Sequence, residues 1–194
     1  YSIWLTYTNE IKKVLITGAS GGIGSAICKK FKNDNFELVL TSSSENNIEK
    51  LKNTFGEQHF YYKVDLSNSE DVLQCFDKIS KDHKDISVIV NNAGITEDGL
   101  IIRMKNEQWL KVIQVNLNSN YQIIKALLPN MLSKKYGKII GISSIVGLTG
   151  NAGQTNYVAS KSGMAGLYKS IALEVSKRNI NVNIVSPGFV TTTM

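Results

Sequence analysis

The sequence is poor in the residues that divide a chain into domains or carry it through a membrane. It has only two prolines among 194 residues, and no run rich in proline, glycine or serine marks an internal boundary. We therefore expect one domain with a substantial buried core. No stretch approaches the roughly 20 consecutive apolar residues needed to cross a bilayer, so we expect a soluble protein without a membrane partner.

Cysteine is equally scarce. Cys28 and Cys75 lie far apart on segments that read as helices, and no CxxC pair or Cys/His cluster accompanies them. This spacing argues against a disulfide framework and against a metal site. We interpret both as small buried side chains in a reducing compartment, which favours a cytoplasmic protein.

Arginine is also rare, although the chain is basic. The formal net charge is +6, from 22 Lys+Arg against 16 Asp+Glu, yet only Arg103 and Arg178 are arginines. Nucleic-acid binding favours arginine forks and clustered patches, whereas these lysines are scattered over predicted helix exteriors. We expect no nucleic-acid partner, and interpret the charge as a solvated surface or as attraction to an acidic partner.

Residues 1–10 lack an initiating Met and the layout of a signal peptide, so we treat them as an extension outside a domain of residues 11–194.

Within that domain, short apolar β-branched runs alternate with longer amphipathic segments, a pattern typical of a parallel sheet with helices on both faces. Right-handed crossovers favour a doubly wound α/β (Rossmann) fold with strand order 3-2-1-4-5-6. The predicted strands are Val14–Thr17, Glu37–Thr41, Phe60–Val64, Ile86–Val90, Lys138–Ile142 and Asn181–Val185, and the predicted helices are Ile23–Asn33, Asn46–Phe55, Ser69–Lys81, Asn106–Ser133 and Asn156–Lys177.

A glycine-rich turn between the first strand and first helix predicts a dinucleotide site. In VLITGASGGIGSAI, Gly18, Gly22 and Gly24 have a TGxxxGxG spacing. Such glycines allow a tight turn and close approach of backbone to pyrophosphate, while the helix N-terminus offers free N–H groups to phosphates.

Four motifs, in order, resemble those of the short-chain dehydrogenase/reductase family. They are TGASGGIG, then NNAG at Asn91–Gly94, YVASK at Tyr157–Lys161, and VSPG at Val185–Gly188. The resemblance runs from about residue 12 to Met194 and implies a nicotinamide-dependent oxidoreductase with six of the family's usual seven strands. Such chains usually continue beyond the position of Met194 into a helical lid and a last strand, so we interpret this one as a fragment or partial chain.

The resemblance implies a catalytic set of Asn116, Ser144, Tyr157 and Lys161. Tyr157 and Lys161 are spaced i, i+4 and should share a helix face. A lysine cation ~4 Å away contributes roughly 4 kcal/mol at an effective dielectric of about 20, which could lower the pKa of the phenol by up to ~3, towards neutrality. In the family Tyr157 would donate the proton, Ser144 polarise the carbonyl, Lys161 hold the ribose, and the Asn116 side chain help hold a relay water.

The cofactor is expected to be NADP, although NAD stays open. No acidic residue stands at Thr41 or Ser42, where one would hold a ribose 2′-OH and repel a 2′-phosphate, but the glycine turn lacks a basic residue at Gly21. Asp65 matches the family's adenine contact, or else caps a turn. The predicted cofactor-binding residues are Gly18, Ser20, Gly22, Ile23, Gly24, Thr41, Asp65, Asn92, Ala93, Gly94, Tyr157, Lys161, Pro187, Gly188, Val190 and Thr192.

Within the family, the strings NNAGITEDGLIIRMKNEQW and ISSIVGLTGNAGQTNYVASKSG most resemble the 3-oxoacyl-[acyl-carrier-protein] reductases. This likeness implies an acidic carrier protein as partner, docked by Lys135 and Arg178 near the site entrance, with Gln154 as a substrate contact. The two cations could equally be solvated helix-end charges. A reductase of acetoacetyl-CoA or a small free ketone, and a non-catalytic nucleotide sensor, are the alternatives. A homodimer or homotetramer is indicated by apolar residues on the fourth and fifth predicted helices, namely Ile113, Leu117, Ile124, Leu167, Ile171 and Val175.

Overall fold

A computed structural model describes residues 12–188 and residue 190, so the predicted extension of residues 1–10 lies outside the described part. Within it, six parallel strands form one sheet in the order β3-β2-β1-β4-β5-β6, which confirms the predicted doubly wound topology. Each strand begins and ends within one residue of its predicted position. The strands are β1 (Lys13–Ile16), β2 (Glu37–Ser42), β3 (Phe60–Lys63), β4 (Ile86–Asn91), β5 (Gly137–Ile142) and β6 (Ile180–Val185).

Helices cover both faces of the sheet. The described helices are α1 (Gly22–Asn33), α2 (Glu45–Phe55), α3 (Ser69–Asp82), α4 (Asn106–Ile113), α5 (Ser119–Lys134), α6 (Val146–Thr149) and α7 (Thr155–Val175). In this part of the chain, no helix is long and apolar enough to span a membrane.

The strands are apolar on both sides because alternate residues point to opposite faces. In β1, Val14 and Ile16 pack into the layer of α1 and α2, whereas Leu15 packs into the layer of α3, α5 and α7. These residues are fully buried. Two separate cores therefore hold the sheet rigid, and the loops at its carboxyl edge are anchored at both ends.

The predicted helix Asn106–Ser133 is interrupted by a π segment, Gln114–Asn118, between α4 and α5. Side chains at the start of α5 bond back to carbonyls of this segment: the Ser119 hydroxyl donates to the Val115 carbonyl at 2.6 Å, and the Asn120 amide to the Asn116 carbonyl at 2.9 Å. Such local bonds compete with the regular helix ladder, and π segments are frequent at functional sites. The helical periodicity of the sequence does not reveal that the hydrogen-bond ladder is irregular over these five residues.

Lys135 and Arg178 lie at the amino edge of the sheet, which corrects the expectation that they flank the site entrance. Lys135 ends α5 in the left-handed conformation, two residues before β5, and Arg178 ends a short 3-10 turn two residues before β6. Parallel strands of six residues separate these ends from the carboxyl edge by roughly 17–20 Å. Within one chain, neither cation borders Tyr157.

Candidate active site

A cleft of about 510 Å³ opens at the carboxyl edge of the sheet. Twelve of the sixteen predicted cofactor residues line it: Gly18, Ser20, Gly22, Ile23, Gly24, Thr41, Asp65, Asn92, Ala93, Gly94, Tyr157 and Lys161. The structure therefore brings the glycine turn, the ends of β2 to β4 and the start of α7 around one cavity. This is where ligands bind in open α/β sheets.

The glycine turn is packed too closely to accept side chains. Gly18 has a φ of 63°, and a Cβ on Gly24 would collide with the carbonyl oxygen of Gly18 and lie 2.8 Å from the amide nitrogen of Asn92. The same Asn92 amide donates to the carbonyls of Thr17 and Gly18, at 3.0 and 3.1 Å. The Thr17 hydroxyl in turn accepts from the backbone N–H groups of Asn92 and Ala93. These bonds fix the NNAG segment to the turn.

The first helix presents its N-terminus uncapped. The side chains of Ser44 and Asn68 cap α2 and α3, whereas α1 begins after Gly21 without a side-chain cap. The free N–H groups and the positive end of the helix dipole therefore remain available beside the cleft. Together with the close backbone packing, they suit a pyrophosphate.

Hydroxyl groups dominate the far end of the cleft. The Thr41 hydroxyl is buried without a hydrogen-bond partner, and the hydroxyls of Ser42 and Ser20 lie 2.9 Å apart. Asp65 accepts from the hydroxyl and backbone N–H of Ser67 at 2.7 and 2.9 Å, and these bonds lower the pKa of its carboxyl. Asp65 thus holds a turn and lines the cleft at once.

Tyr157 and Lys161 lie side by side on the first turns of α7. The Lys161 ammonium is 5.6 Å from the centre of the Tyr157 ring and donates to the carbonyl of Ile142 at 2.8 Å. Lys161 is almost fully buried, and burial lowers its pKa to about 8. The group therefore remains mostly cationic at neutral pH.

The expected lowering of the Tyr157 pKa is wrong for this structure. Burial raises the pKa of the phenol and the Asp98 carboxylate adds to the rise, whereas a hydrogen bond with Ser144 acts in the opposite direction. The cation expected at ~4 Å is instead turned towards Ile142. Tyr157 is consequently protonated at neutral pH, the state that a proton donor requires.

Of the two adjacent serines, Ser144 is the one that reaches Tyr157. Its hydroxyl hydrogen-bonds the phenol and accepts from the backbone of Val146 at 3.4 Å. The Ser143 hydroxyl donates instead to the carbonyl of Lys161 at 3.1 Å, which is a structural contact.

Asn116 supports the site through hydrogen bonds to the Ile95 backbone and to the Ser160 hydroxyl. Its amide donates to the Ile95 carbonyl at 2.9 Å and to the Ser160 hydroxyl at 3.1 Å, and its oxygen accepts from the Ile95 N–H at 2.9 Å. Both donors are used, and one acceptor position on Oδ1 remains. Only that position could hold the expected water. The main role of the Asn116 side chain is to fix the Ile95 turn through two hydrogen bonds.

The remaining predicted residues lie beside the cleft or outside the described residues. Gln154 donates to Asp98 at 3.0 Å on the exposed loop before α7. Pro187, Gly188 and Val190 follow β6 but are not among the residues that line the cleft, and Thr192 is outside the described part of the chain.

Several residues that line the cleft were not among the predicted cofactor contacts. They are Gly21, Ser42, Ser43, Val64, Leu66, Ser67, Ile95, Thr96, Lys111, Val115, Ile142 and Ser143. Lys111 pairs with Glu97 at 2.6 Å, and Ile142 contributes its carbonyl to Lys161. No sequence pattern indicates either contact, because one spans a loop and the other uses a main-chain atom.

The family model for short chain dehydrogenase matches residues 12–194. The chain belongs to the short-chain dehydrogenase family. It is 42% identical over 183 residues to "3-oxoacyl-[acyl-carrier-protein] reductase FabG" of Haemophilus influenzae, covering 94% of this chain and 76% of the relative. It is 40% identical over 185 residues to the protein of the same name from Escherichia coli, covering 95% and 76%.

Similarity extends to relatives with other names. "Nodulation protein G" of a Rhizobium species is 42% identical over 183 residues, covering 94% of this chain and 75% of the relative. As a short-chain dehydrogenase, the protein is an oxidoreductase that acts on CH–OH and C=O groups.

The glycine turn generates a matched pair of variants. Gly24→Ala should abolish dinucleotide binding, because its methyl group would displace the Gly18 carbonyl and the Asn92 amide. Gly21→Ala should bind nearly normally, since a Cβ there meets only the Gly18 carbonyl at an ordinary 3.5 Å. Titration of each variant with NADPH, followed by fluorescence, measures both affinities. Equal affinity of the two variants would contradict this account of the turn.

Proposed function

We propose that the protein reduces a 3-oxoacyl group on acyl carrier protein to the 3-hydroxyacyl form in fatty acid biosynthesis, with NADPH as cofactor. The observation that carries the proposal is Tyr157, protonated and bonded to Ser144 beside a buried Lys161 cation at the cleft. Relatives named as 3-oxoacyl-[acyl-carrier-protein] reductases support the substrate. The free thiols of Cys28 and Cys75 suit the reducing cytoplasm that we propose as the compartment.

The residues present fit a dinucleotide, and NADPH would supply the hydride for the reduction. The Gly18 turn and the α1 N-terminus would hold its pyrophosphate. The buried, unpartnered hydroxyl of Thr41 and the hydroxyls of Ser42 and Ser20 could donate to a 2′-phosphate, and residues 41–43 at the end of β2 carry no carboxylate to repel it. NADP is therefore the proposed form of the cofactor.

Proton transfer is assigned to Tyr157. Its hydroxyl donates the proton to the substrate carbonyl oxygen, and the Ser144 hydroxyl donates a hydrogen bond to the same oxygen as negative charge develops. The raised pKa keeps the phenol protonated at neutral pH but also makes it a weaker acid, so the step depends on stabilisation of the phenolate that it leaves.

Lys161 stabilises the phenolate that remains after proton transfer. Its ammonium lies 5.6 Å from the ring centre, so the attraction acts over a longer distance than the ~4 Å assumed from the sequence and is correspondingly weaker. Its ammonium lines the cleft, so it can also hold a ribose hydroxyl. Asn116 keeps the Ile95 turn in place beside it.

The reaction on a carrier-bound thioester distinguishes the proposal from a small-ketone reductase. With +6 net charge and an acidic carrier, association should be favoured electrostatically, so acetoacetyl-carrier protein should give kcat/KM at least about tenfold above a free ketone at low salt. Salt should reduce this advantage, because it screens the charges. NADPH oxidation by the full-length protein, followed by absorbance, measures both. A preference for the free ketone would favour the alternative, and no turnover at all would favour a nucleotide sensor.

Substitutions at Tyr157 and Lys161 should separate chemistry from cofactor binding. Tyr157→Phe should lower kcat by about 10²-fold or more and leave NADPH affinity nearly unchanged, because it removes only the donated proton. Lys161→Met should weaken both, since the ammonium also faces the cofactor. Thermal melting of each variant serves as the folding control. Turnover near the parental value in Tyr157→Phe would refute the assignment.

The cofactor preference depends on charge at Thr41. Thr41→Asp should weaken NADPH binding relative to NADH, because its carboxylate would repel a 2′-phosphate. Thr41→Asn is the matched control of nearly equal size without charge and should retain the NADPH preference. Titrations of both cofactors give the ratio, and an unchanged ratio in Thr41→Asp would argue against the 2′-phosphate site.

We also propose a homo-oligomer built on α4, α5 and α7. Three of the residues on which that expectation rested, Ile124, Ile171 and Val175, are part of the chain's own core. The exposed apolar residues of these helices are Trp109, Leu110, Tyr121 and Leu173. We propose that these exposed side chains, and not the buried ones, form the contact between subunits.

Leu173→Lys should therefore shift the full-length protein towards monomers, because it places a charge on a side chain that is 79% exposed. Leu73→Lys, on α3, is the matched control and should not change the assembly. Sedimentation at micromolar concentration measures the species. A monomeric parent would contradict the proposal.

A further inference from the structure

A series of buried polar groups connects the sheet to the π segment, through residues that the proposed function does not use. It begins at Asn91, the last residue of β4, whose amide donates to the hydroxyl of Tyr168 at 2.8 Å. The Tyr168 hydroxyl donates to Oδ1 of Asn120 at 2.8 Å. The Asn120 amide then donates to the main-chain carbonyl of Asn116 at 2.9 Å.

The series continues from Asn116 to the catalytic tyrosine. The Asn116 amide donates to the hydroxyl of Ser160 at 3.1 Å, and that hydroxyl donates to the main-chain carbonyl of Tyr157 at 2.7 Å. Five successive hydrogen bonds therefore join β4 to the backbone of Tyr157, by way of the π segment and α7.

Because they are buried, these hydrogen bonds restrict how far the groups they join can move. Tyr168, Asn120, Asn116 and Ser160 are each at most 2% exposed, so water cannot replace a lost partner without rearrangement. In such surroundings buried hydrogen bonds favour one geometry of the groups they join, and in this series Oδ1 of Asn91 is the one buried side-chain atom without a partner. Burial also raises the pKa of Tyr168, so this hydroxyl stays protonated and acts through its hydrogen bonds.

The sheet backbone fixes the place of the Tyr168 ring. A Cβ on Gly141 of β5 would lie 2.6 Å from Cζ of that ring, so the ring fills the space that the glycine leaves. Tyr168 follows Tyr157 by eleven residues on α7, which is about three turns, so both side chains project from the same side of the helix. The contact at Gly141 therefore sets the height of α7 over the sheet.

We infer that Tyr168, with Asn120 and Asn91, is a positioning residue that sets where Asn116 and Tyr157 stand relative to the cleft. The inference rests on the proposed function for its effect on turnover. Tyr168 itself contacts neither substrate nor cofactor, because it is enclosed between β4, β5 and α5.

Tyr168→Phe tests this role, since it keeps the ring on Gly141 and removes the hydroxyl. Turnover of the acetoacetyl thioester by the full-length protein should fall about tenfold, because small misplacements of reacting groups are costly. KM for NADPH should stay within about twofold, and the isotope effect with deuterated NADPH should rise as the chemical step becomes limiting. Tyr136→Phe, on a partly exposed ring, is the control and should match the parent. Parental turnover in Tyr168→Phe would overturn the inference.

A double variant separates positioning from stability. Asn120→Leu added to Tyr168→Phe removes the acceptor that the single change leaves unpaired, so the melting temperature should recover towards the parental value. The double change also removes the Asn120 amide that donates to the Asn116 carbonyl, and turnover should therefore stay low. Recovery of turnover together with stability would assign Tyr168 a merely structural part and overturn the inference.

Hydrogen–deuterium exchange gives a readout that needs no activity. In Tyr168→Phe, peptides that contain residues 114–120 and 157–161 should exchange faster than in the parent, whereas peptides from α2 should not change. Faster exchange in a protein whose parent reduces no thioester would sustain the positioning role and reject the proposed function. Unchanged exchange would reject the positioning role, whatever the activity.

Discussion

The burial of the Lys161 ammonium is the constraint on which the site depends. Its hydrogen bond to the Ile142 carbonyl fixes α7 to the end of β5. A Cβ on Gly94 would lie 3.3 Å from this ammonium, and one on Gly147 would lie 3.0 Å from Cβ of Lys161. Two glycines from different motifs are therefore needed at these positions for one reason, the close packing around a buried cation.

A buried cation is costly unless its surroundings compensate for lost hydration, and here the compensation is modest. The ammonium has one carbonyl and the Met164 sulfur as neighbours, and its pKa falls to about 8. Burial therefore makes the protonated form of Lys161 less stable, but the group still carries its charge at neutral pH. Tyr157 responds in the opposite sense, because burial disfavours its charged form. The pair thus stands as a protonated phenol beside a cation that gains most when the phenol loses its proton.

Buried polar groups in the core help to position Asn116 and Tyr157. Hydrophobic layers on both faces make the sheet rigid, and close contacts such as Tyr168 on Gly141 fix a helix over it. Buried hydrogen bonds add to this, because a stretched buried bond leaves its groups unsatisfied. The π segment is one outcome: Asn116 bonds both the Ile95 turn and Ser160, and the helix accommodates this by departing from the regular ladder.

The sequence by itself determined the strands, their order and the elements that line the cleft, because short apolar runs, helical periodicity and the glycine spacing reflect local backbone physics. It also predicted that the glycine turn, Tyr157 and Lys161 would lie around one cleft. Only the tertiary structure decided the electrostatics: the direction of the Tyr157 pKa depends on burial and on where the Lys161 ammonium points. The placement of Lys135 and Arg178 at the amino edge was already implied by the predicted strands, because each cation precedes a strand and ligands bind at the carboxyl ends of such strands. Long-range contacts such as Asn91 with Tyr168, 77 residues apart, leave no pattern in the sequence, because they arise only when separate elements pack.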